Sequence, residues 1–237
     1  MHGETEGNNK LLGGKTISFL FLFILISTLF SLSNDYMIDF YGIDIMYVSD
    51  DTRDTLLLNK SVRVNSYKTQ TKGPFDIIFP TNNIYTTYYS KGYTPIKYTK
   101  DINQFGNVNY RIDINDIKRN NLLGDLDLTK SLNIFSLLDY IEENTPNIEN
   151  EKIIVQGGAV YRCHIKEILR DNSIIKYSLD FIHLYDFDVS SDMEDVFTDH
   201  AFHPEGVRYV WVDLNTKRIE RCKFKLGFMK LNARRIQ

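Results

Sequence analysis

The residues best equipped for chemistry lie in one stretch, HLYDFDVSSDMEDVFTDHAFHPEG, from His183 to Gly206. It holds His183, His200 and His203 beside Asp186, Asp188, Asp192, Glu194, Asp195 and Asp199. Imidazole and carboxylate ligate zinc and harder cations, so a metal-dependent enzyme is the chemistry this composition could serve. The spacing points elsewhere. His-Ala-Phe-His does not form the i, i+4 pair of a helical zinc motif, and the carboxylates do not follow a calcium-loop pattern. A solvated acidic loop with surface histidines explains the stretch with less, and no cofactor is implied.

The second constellation is one of charge. Asp180 to Glu205 carries eight acids and no Lys or Arg, whereas Lys217 to Arg235 carries eight Lys or Arg against the single acid Glu220. In a strand, alternate residues share a face. Arg221, Lys223 and Lys225 therefore stand opposite Cys222, Phe224 and Leu226, and Lys230 and Arg234 continue the row in the next strand. Such a stripe suits phospholipid headgroups or another anionic envelope polymer. The plainer reading is an ordinary solvated outer face.

A third group, Tyr85, Tyr88, Tyr89, Tyr93 and Tyr98, invites sugar stacking, but cross-strand aromatic pairing on a half-buried sheet accounts for it. The chain contains no GxSxG elbow, P-loop, GxGxxG or zinc-protease helix. Its net charge is only -3, so the molecule as a whole is not an electrostatic binder of nucleic acid.

The elements that must position these residues are mostly strands. Fifteen Tyr and 15 Phe with only 5 Pro favour strands and asparagine-bearing turns. Alternation predicts strands at Tyr36 to Val48, Asn59 to Lys68, Phe75 to Phe79, Asn83 to Ser90 and Asn107 to Arg119. A long hairpin is expected around Arg170 to Ser173, with Gln156-Gly157-Gly158 as a bulge or bend in its first arm. A loop from about Val189 to Gly206 leads to a last hairpin pair. One helix stands out, at about residues 131–144, capped by Thr129 or Ser131 and stopped by Pro146. Ile134, Phe135, Leu137, Leu138 and Ile141 form its apolar arc, with Asn133, Ser136, Asp139 and Glu143 opposite.

Residues 1–33 read as a targeting segment. Lys10 and Lys15 precede the apolar run Ile17 to Phe30, which is short for a bilayer span and suits a secretory signal, with Ser31 and Ser33 as the small residues of a cleavage site. An uncleaved signal anchor, with membrane contact through this segment, is the alternative. Residues 34–237 then form a single antiparallel β domain in the cell envelope or periplasm. Cys163 and Cys222 are the only cysteines. Export permits a disulfide, and two buried free thiols are the simpler expectation.

The export signal, YTTYYSKGYTPIKYTK, LNIFSLLDYI, VRYVWVDLNTKRIERCKFKL and GFMKLNARRI together resemble the bacterial exported domain-of-unknown-function family numbered 3108, from about Asp39 to the C-terminus. The resemblance implies a curved antiparallel sheet, an open or half β-barrel wrapped around one central helix, similar to the half-barrels of periplasmic lipoprotein carriers. It supplies no catalytic residues. The expected protein is non-enzymatic and binds a lipid or other apolar moiety in the concave sheet, with Phe135, Leu138 and Ile141 as gate. The alternative is a structural or assembly factor that meets an envelope protein or anionic polymer through its basic C-terminal strands.

Overall fold

A computed structural model describes residues 35–57, 59–90, 92–104, 108–115, 128–186 and 196–236, with 108–115, 196, 198 and 199 described as backbone only. The expected targeting segment, the connection 116–127 and the acids Asp188, Asp192, Glu194 and Asp195 lie outside these residues.

The strands are β1 (Tyr36–Phe40), β2 (Ile43–Leu57), β3 (Lys60–Thr71), β4 (Asn82–Tyr89), β5 (Pro95–Gln104), β6 (Val108–Asn115), β7 (Glu151–Gln156), β8 (Ala159–Arg170), β9 (Ile174–Asp186), β10 (Val207–Asp213), β11 (Arg218–Leu226) and β12 (Met229–Arg235). The helices are α1 (Pro74–Ile78), α2 (Ile134–Asn144) and α3 (Val196–Phe202). All twelve strands form one antiparallel sheet in the order β6-β5-β4-β3-β2-β1-β12-β11-β10-β9-β8-β7. Its edges, β6 and β7, are not paired with each other, so the sheet is not closed. The mainly β, antiparallel expectation holds.

Two expected strands are hairpins. Tyr41 and Gly42 both have positive φ (51° and 85°) and turn the first run into β1 and β2, with Phe40 paired to Ile43. Gly157 and Gly158 (φ 59° and 73°) do the same between β7 and β8, with Gln156 paired to Ala159. Two successive left-handed residues match the twist of the strands they join. Gln156-Gly157-Gly158 is thus a tight turn rather than a bulge.

Two further expectations are corrected. Phe75 to Phe79 is not a strand: Pro74 starts α1 at its first turn, where its missing N–H costs nothing. The expected loop from Val189 to Gly206 contains α3, whose C-terminal end Arg208 holds by donating to the carbonyls of Ala201, His203 and Gly206 while stacking over Phe181 and Phe224.

The cap of α2 is Asn133, two residues after Ser131 and four after Thr129. Asn133 accepts from the Ser136 N–H at 2.8 Å while the Ser136 hydroxyl accepts from the Asn133 N–H, a reciprocal capping box. Ser131 instead closes the short 3-10 turn at Leu128–Lys130 by donating to the Leu128 carbonyl. The apolar arc packs as expected: Leu137 and Ile141 are 0% exposed, and each such burial stabilises by about 1.5–3 kcal/mol. The other arc is not solvated. Asn133, Ser136 and Asp139 are also buried, and Glu143 alone of the expected polar face is exposed.

One helix touches strands far apart in the sheet order. Phe135 packs on Tyr67 of β3, Tyr85 of β4 and Tyr98 of β5. Glu142 accepts from the Ile219 N–H of β11 at 2.7 Å. Leu132, just before the helix, exchanges backbone hydrogen bonds with β7. α3 lies on the same face, through Phe202 on Phe181 and Phe197 on Phe135.

The cysteines are free. Cys163 lies on β8 and Cys222 on β11, with β9 and β10 between them. The adjacent strands a bridge would need are not there.

Candidate functional sites: an acidic cleft and a basic face

The first site grows from the buried polar arc of α2. Asp139 accepts from the Asn65 amide of β3 at 2.7 Å and from the Tyr89 hydroxyl of β4. Three residues on, Glu142 takes the Ile219 N–H and the Arg218 guanidinium, the latter at 3.2 Å. One residue further, Glu143 pairs with Arg63 and with the Tyr93 hydroxyl. The spacing that makes an amphipathic pattern in sequence therefore makes a polar seam here, because β3 offers this helix Arg63, Asn65 and Tyr67, while Val62 and Val64 are buried on the opposite face.

Thr52, Asp139, Glu142, Glu143, Thr216, Lys217 and Arg218 line a cleft of about 240 Å³. Asp50, paired with Tyr67 across β2 and β3, adds a third, half-buried carboxyl. Burial, with Asp139 and Glu142 nearby, pushes the Asp50 carboxyl up to about 7 against the pull of Thr52 and Arg218. Burial likewise lifts Asp139 to about 6, although its Asn65 and Tyr89 hydrogen bonds pull it down. Glu142 is raised by burial against its Ile219 and Arg218 contacts. Desolvation also drives the phenols of Tyr36, Tyr67 and Tyr89 upward, so they stay neutral donors. The cleft thus holds protons near neutrality. Among the described residues, no group of three or more His, Cys, Asp or Glu is placed to hold a metal ion.

The expected metal ligands are dispersed in role. His183 Nε2 lies 2.9 Å from Asp186 Oδ1 on β9, with its ring edge-on to Tyr161. The His200 ring packs on Phe224, and His203 offers its carbonyl to Arg208. The tyrosine group is divided as well. Tyr85, Tyr89 and Tyr98 are buried on the α2 face, Tyr93 stacks on Tyr89, and Tyr88 lies under Lys97. Of the expected gate, Phe135 and Ile141 are buried and Leu138 is half-buried.

The second site is the face of β9 to β12 turned away from α2. Register brings the stripe together across strands: Arg221 lies opposite Arg234, Lys223 opposite Asn232, and Lys225 opposite Lys230. A bulge in β11, between the Trp211 and Val212 pairings, lets both Ile219 and Cys222 point to the α2 side despite their odd spacing. Arg234 drops out of the row of free cations because its Nη2 donates to both Asp44 carboxylate oxygens, at 2.7 and 2.8 Å. Lys176 of β9, absent from the sequence expectation, takes its place. Lys176 Nζ sits 3.9 Å from the Tyr209 ring and 4.9 Å from the Trp211 ring, and the Arg221 guanidinium lies 5.0 Å from that same indole. Each contact is the attraction of a cation to an aromatic face.

The pKa of Lys223 is lowered by desolvation and then by Lys230, Arg221, Lys176 and Lys225, four cations around one. Among the described residues, Arg221, Lys223, Lys225 and Lys230 have no ion-pair partner. Cross-strand neighbours of like charge repel. Trp211 and Tyr209 were legible as the outward phase of β10, but their place among the cations follows only from which strands flank it.

No protein-family model matches the chain, and no curated protein matches it.

Proposed function

We propose that this is an exported, non-enzymatic protein of the cell envelope that engages an anionic surface through the outer face of β9 to β12, with α2 as a fixed internal plug. Its sheet is a trough bent around that helix, in line with the resemblance to exported half-barrel proteins. The support for the bend is reach. An 11-residue helix is about 16 Å long, whereas twelve strands laid flat at their usual spacing span about 50 Å, yet α2 and its lead-in touch strands in the second, eighth and last places of the order.

The plug reading rests on how α2 is held. Its start is tied to Thr87 through Asn133, its middle to Asn65 and Tyr89, and its end to Ile219, with Lys217 Nζ donating to the Thr145 carbonyl at 2.9 Å. A gate would have to strand these buried groups at every opening, at about 1–3 kcal/mol each.

The observation that carries the binding reading is the register that sets Lys225 opposite Lys230 on the face that also presents Arg221, Lys223 and the ring-bound Lys176. The test is retention of the protein on vesicles of phosphatidylcholine and phosphatidylglycerol and on a soluble polyanion, beside Lys223→Glu with Lys225→Glu. Both residues lie on the surface, so the melting temperature of the variant stays at the wild-type value. Its affinity falls by about tenfold or more, from the lost headgroup attraction of each lysine. Unchanged binding of the variant to both probes overturns the proposal.

A further inference from the structure

Five of the six most exposed large hydrophobic side chains among the described residues gather at one end of the sheet: Ile77 (86%), Phe228 (85%), Ile78 (63%), Ile43 (60%) and Tyr41 (59%). They come from three successive connections at that end. Ile77 and Ile78 belong to α1, between β3 and β4; Tyr41 and Ile43 belong to the β1–β2 turn; Phe228 belongs to the β11–β12 turn. Register holds them side by side. Phe40 pairs with both Ile43 and Leu231, the Tyr41 hydroxyl donates to the Phe228 carbonyl, and Lys72, leading into α1, donates its N–H to the Ile45 carbonyl. Water is an unfavourable neighbour for so many apolar tips in one row.

The charges beside this rim decide what covers it. Lys225 and Lys230 face each other one pair in from the Phe228 turn, at the end of the basic face. Of the nearby acids, Asp44 is paired with Arg234 and Asp39 is buried against Asn232 and the Gly42 N–H, which leaves Asp76, accepting from the Thr71 hydroxyl at 2.8 Å, as one exposed carboxylate against the two lysines. Apolar and aromatic tips flanked at the Phe228 end by two unpaired lysines match the interface of an anionic bilayer, where the tips enter the acyl boundary and the ammonium groups stay among the phosphates.

We infer that this rim is a membrane-insertion edge: α1 and the β1–β2 and β11–β12 turns dip into an anionic phospholipid surface, and the sheet leans over it with the outer face of β9 to β12 turned toward the phosphates. The inference rests on the proposed reading of the basic face and adds to it the partner and the orientation. The segment before Asn34 plays no part in it.

The test places a reporter in the rim of the full chain. Trp211 is the single tryptophan, so Phe228→Trp with Trp211→Phe moves the only indole to the turn tip. With phosphatidylcholine–phosphatidylglycerol vesicles containing brominated lipid, indole emission drops by about twofold or more as the ring enters the acyl boundary. Adding Ile77→Ser and Ile78→Ser in that background reverses most of the drop. Binding to the vesicles without quenching overturns the rim inference and leaves the basic-face reading standing, as does binding to the soluble polyanion but not to vesicles. Loss of binding to both probes removes the two together. Self-association that Phe228→Ser abolishes, without vesicle quenching, assigns the rim to a second copy of the chain and also overturns the inference.

Discussion

Asn65 on β3 donates its side-chain amide to Asp139 on α2 at 2.7 Å, and both residues are buried. The contact joins the helix to the sheet by a polar bond on the arc that was expected to face away from the apolar contacts. Tyr89 adds a second donor to the same carboxylate. Asp139→Ala leaves both donors buried without an acceptor, and we expect a loss of about 2–4 kcal/mol in urea unfolding. Asp139→Asn keeps one acceptor oxygen and loses less. Equal losses in the two variants would mean that shape, not the hydrogen bonds, sets the cost.

The same carboxyls make stability depend on pH. Asp139 and Asp50 are raised from 3.8 to about 6 and about 7. In that window the folded protein holds protons that the unfolded chain releases, so these groups lower stability as pH rises from about 4 to about 7, and their effect is constant above it. The surface carboxyls Glu167, Asp171 and Asp213 are shifted the other way and act at lower pH. We expect the urea midpoint to be higher at pH 5 than at pH 8, and Asp50→Asn to flatten the profile. A wild-type midpoint that climbs with pH across this range contradicts the assignment.

Gly206 and Arg208 form a small lock on α3. A Cβ at Gly206 would sit 2.7 Å from Arg208 Nη2, 2.9 Å from the Phe224 ring and 3.0 Å from the His203 carbonyl. Gly206→Ala therefore displaces the guanidinium from the end of α3, at a cost of about 1–3 kcal/mol. Arg208→Ala removes all three carbonyl contacts and costs about 2–4 kcal/mol. Hydrogen exchange of the α3 amides checks the location: both variants speed exchange there before they do so in β4.

The thiols supply a fourth expectation. Burial pushes the Cys222 thiol up to about 12 and that of Cys163 higher still. Neither is a nucleophile near neutrality. Both react with a thiol reagent on unfolding and only slowly before it, and reducing agent leaves the melting temperature unchanged. A fall in melting temperature on reduction would reveal a bridge.

Much of the sheet was legible because alternation survives in β3, β4, β8, β9, β10 and β12, and so was the existence of α2. What alternation conceals is a turn that does not interrupt it. Tyr41-Gly42 and Gly157-Gly158 each occupy two positions and leave the phase of the flanking residues intact, so two hairpins looked like single strands. The burial of Asp139 was hidden for another reason. A carboxylate opposite an apolar arc is normally solvated, and only the partners Asn65 and Tyr89, 74 and 50 residues away in the chain, make its burial tolerable. The basic stripe was half legible: its β11 members follow from phase, while Lys176 joins and Arg234 leaves through neighbours that no local pattern names.

The position of β1 beside β12, with the Ile236 N–H bonded to the Asp35 carbonyl at 2.9 Å, puts the first and last described strands at the middle of the sheet rather than at its margins. The strands β1 to β6 can zip outward as they leave the ribosome, but the median seam waits for a strand made almost two hundred residues later. Clipping β12 would not trim a border; it would split the protein along its midline.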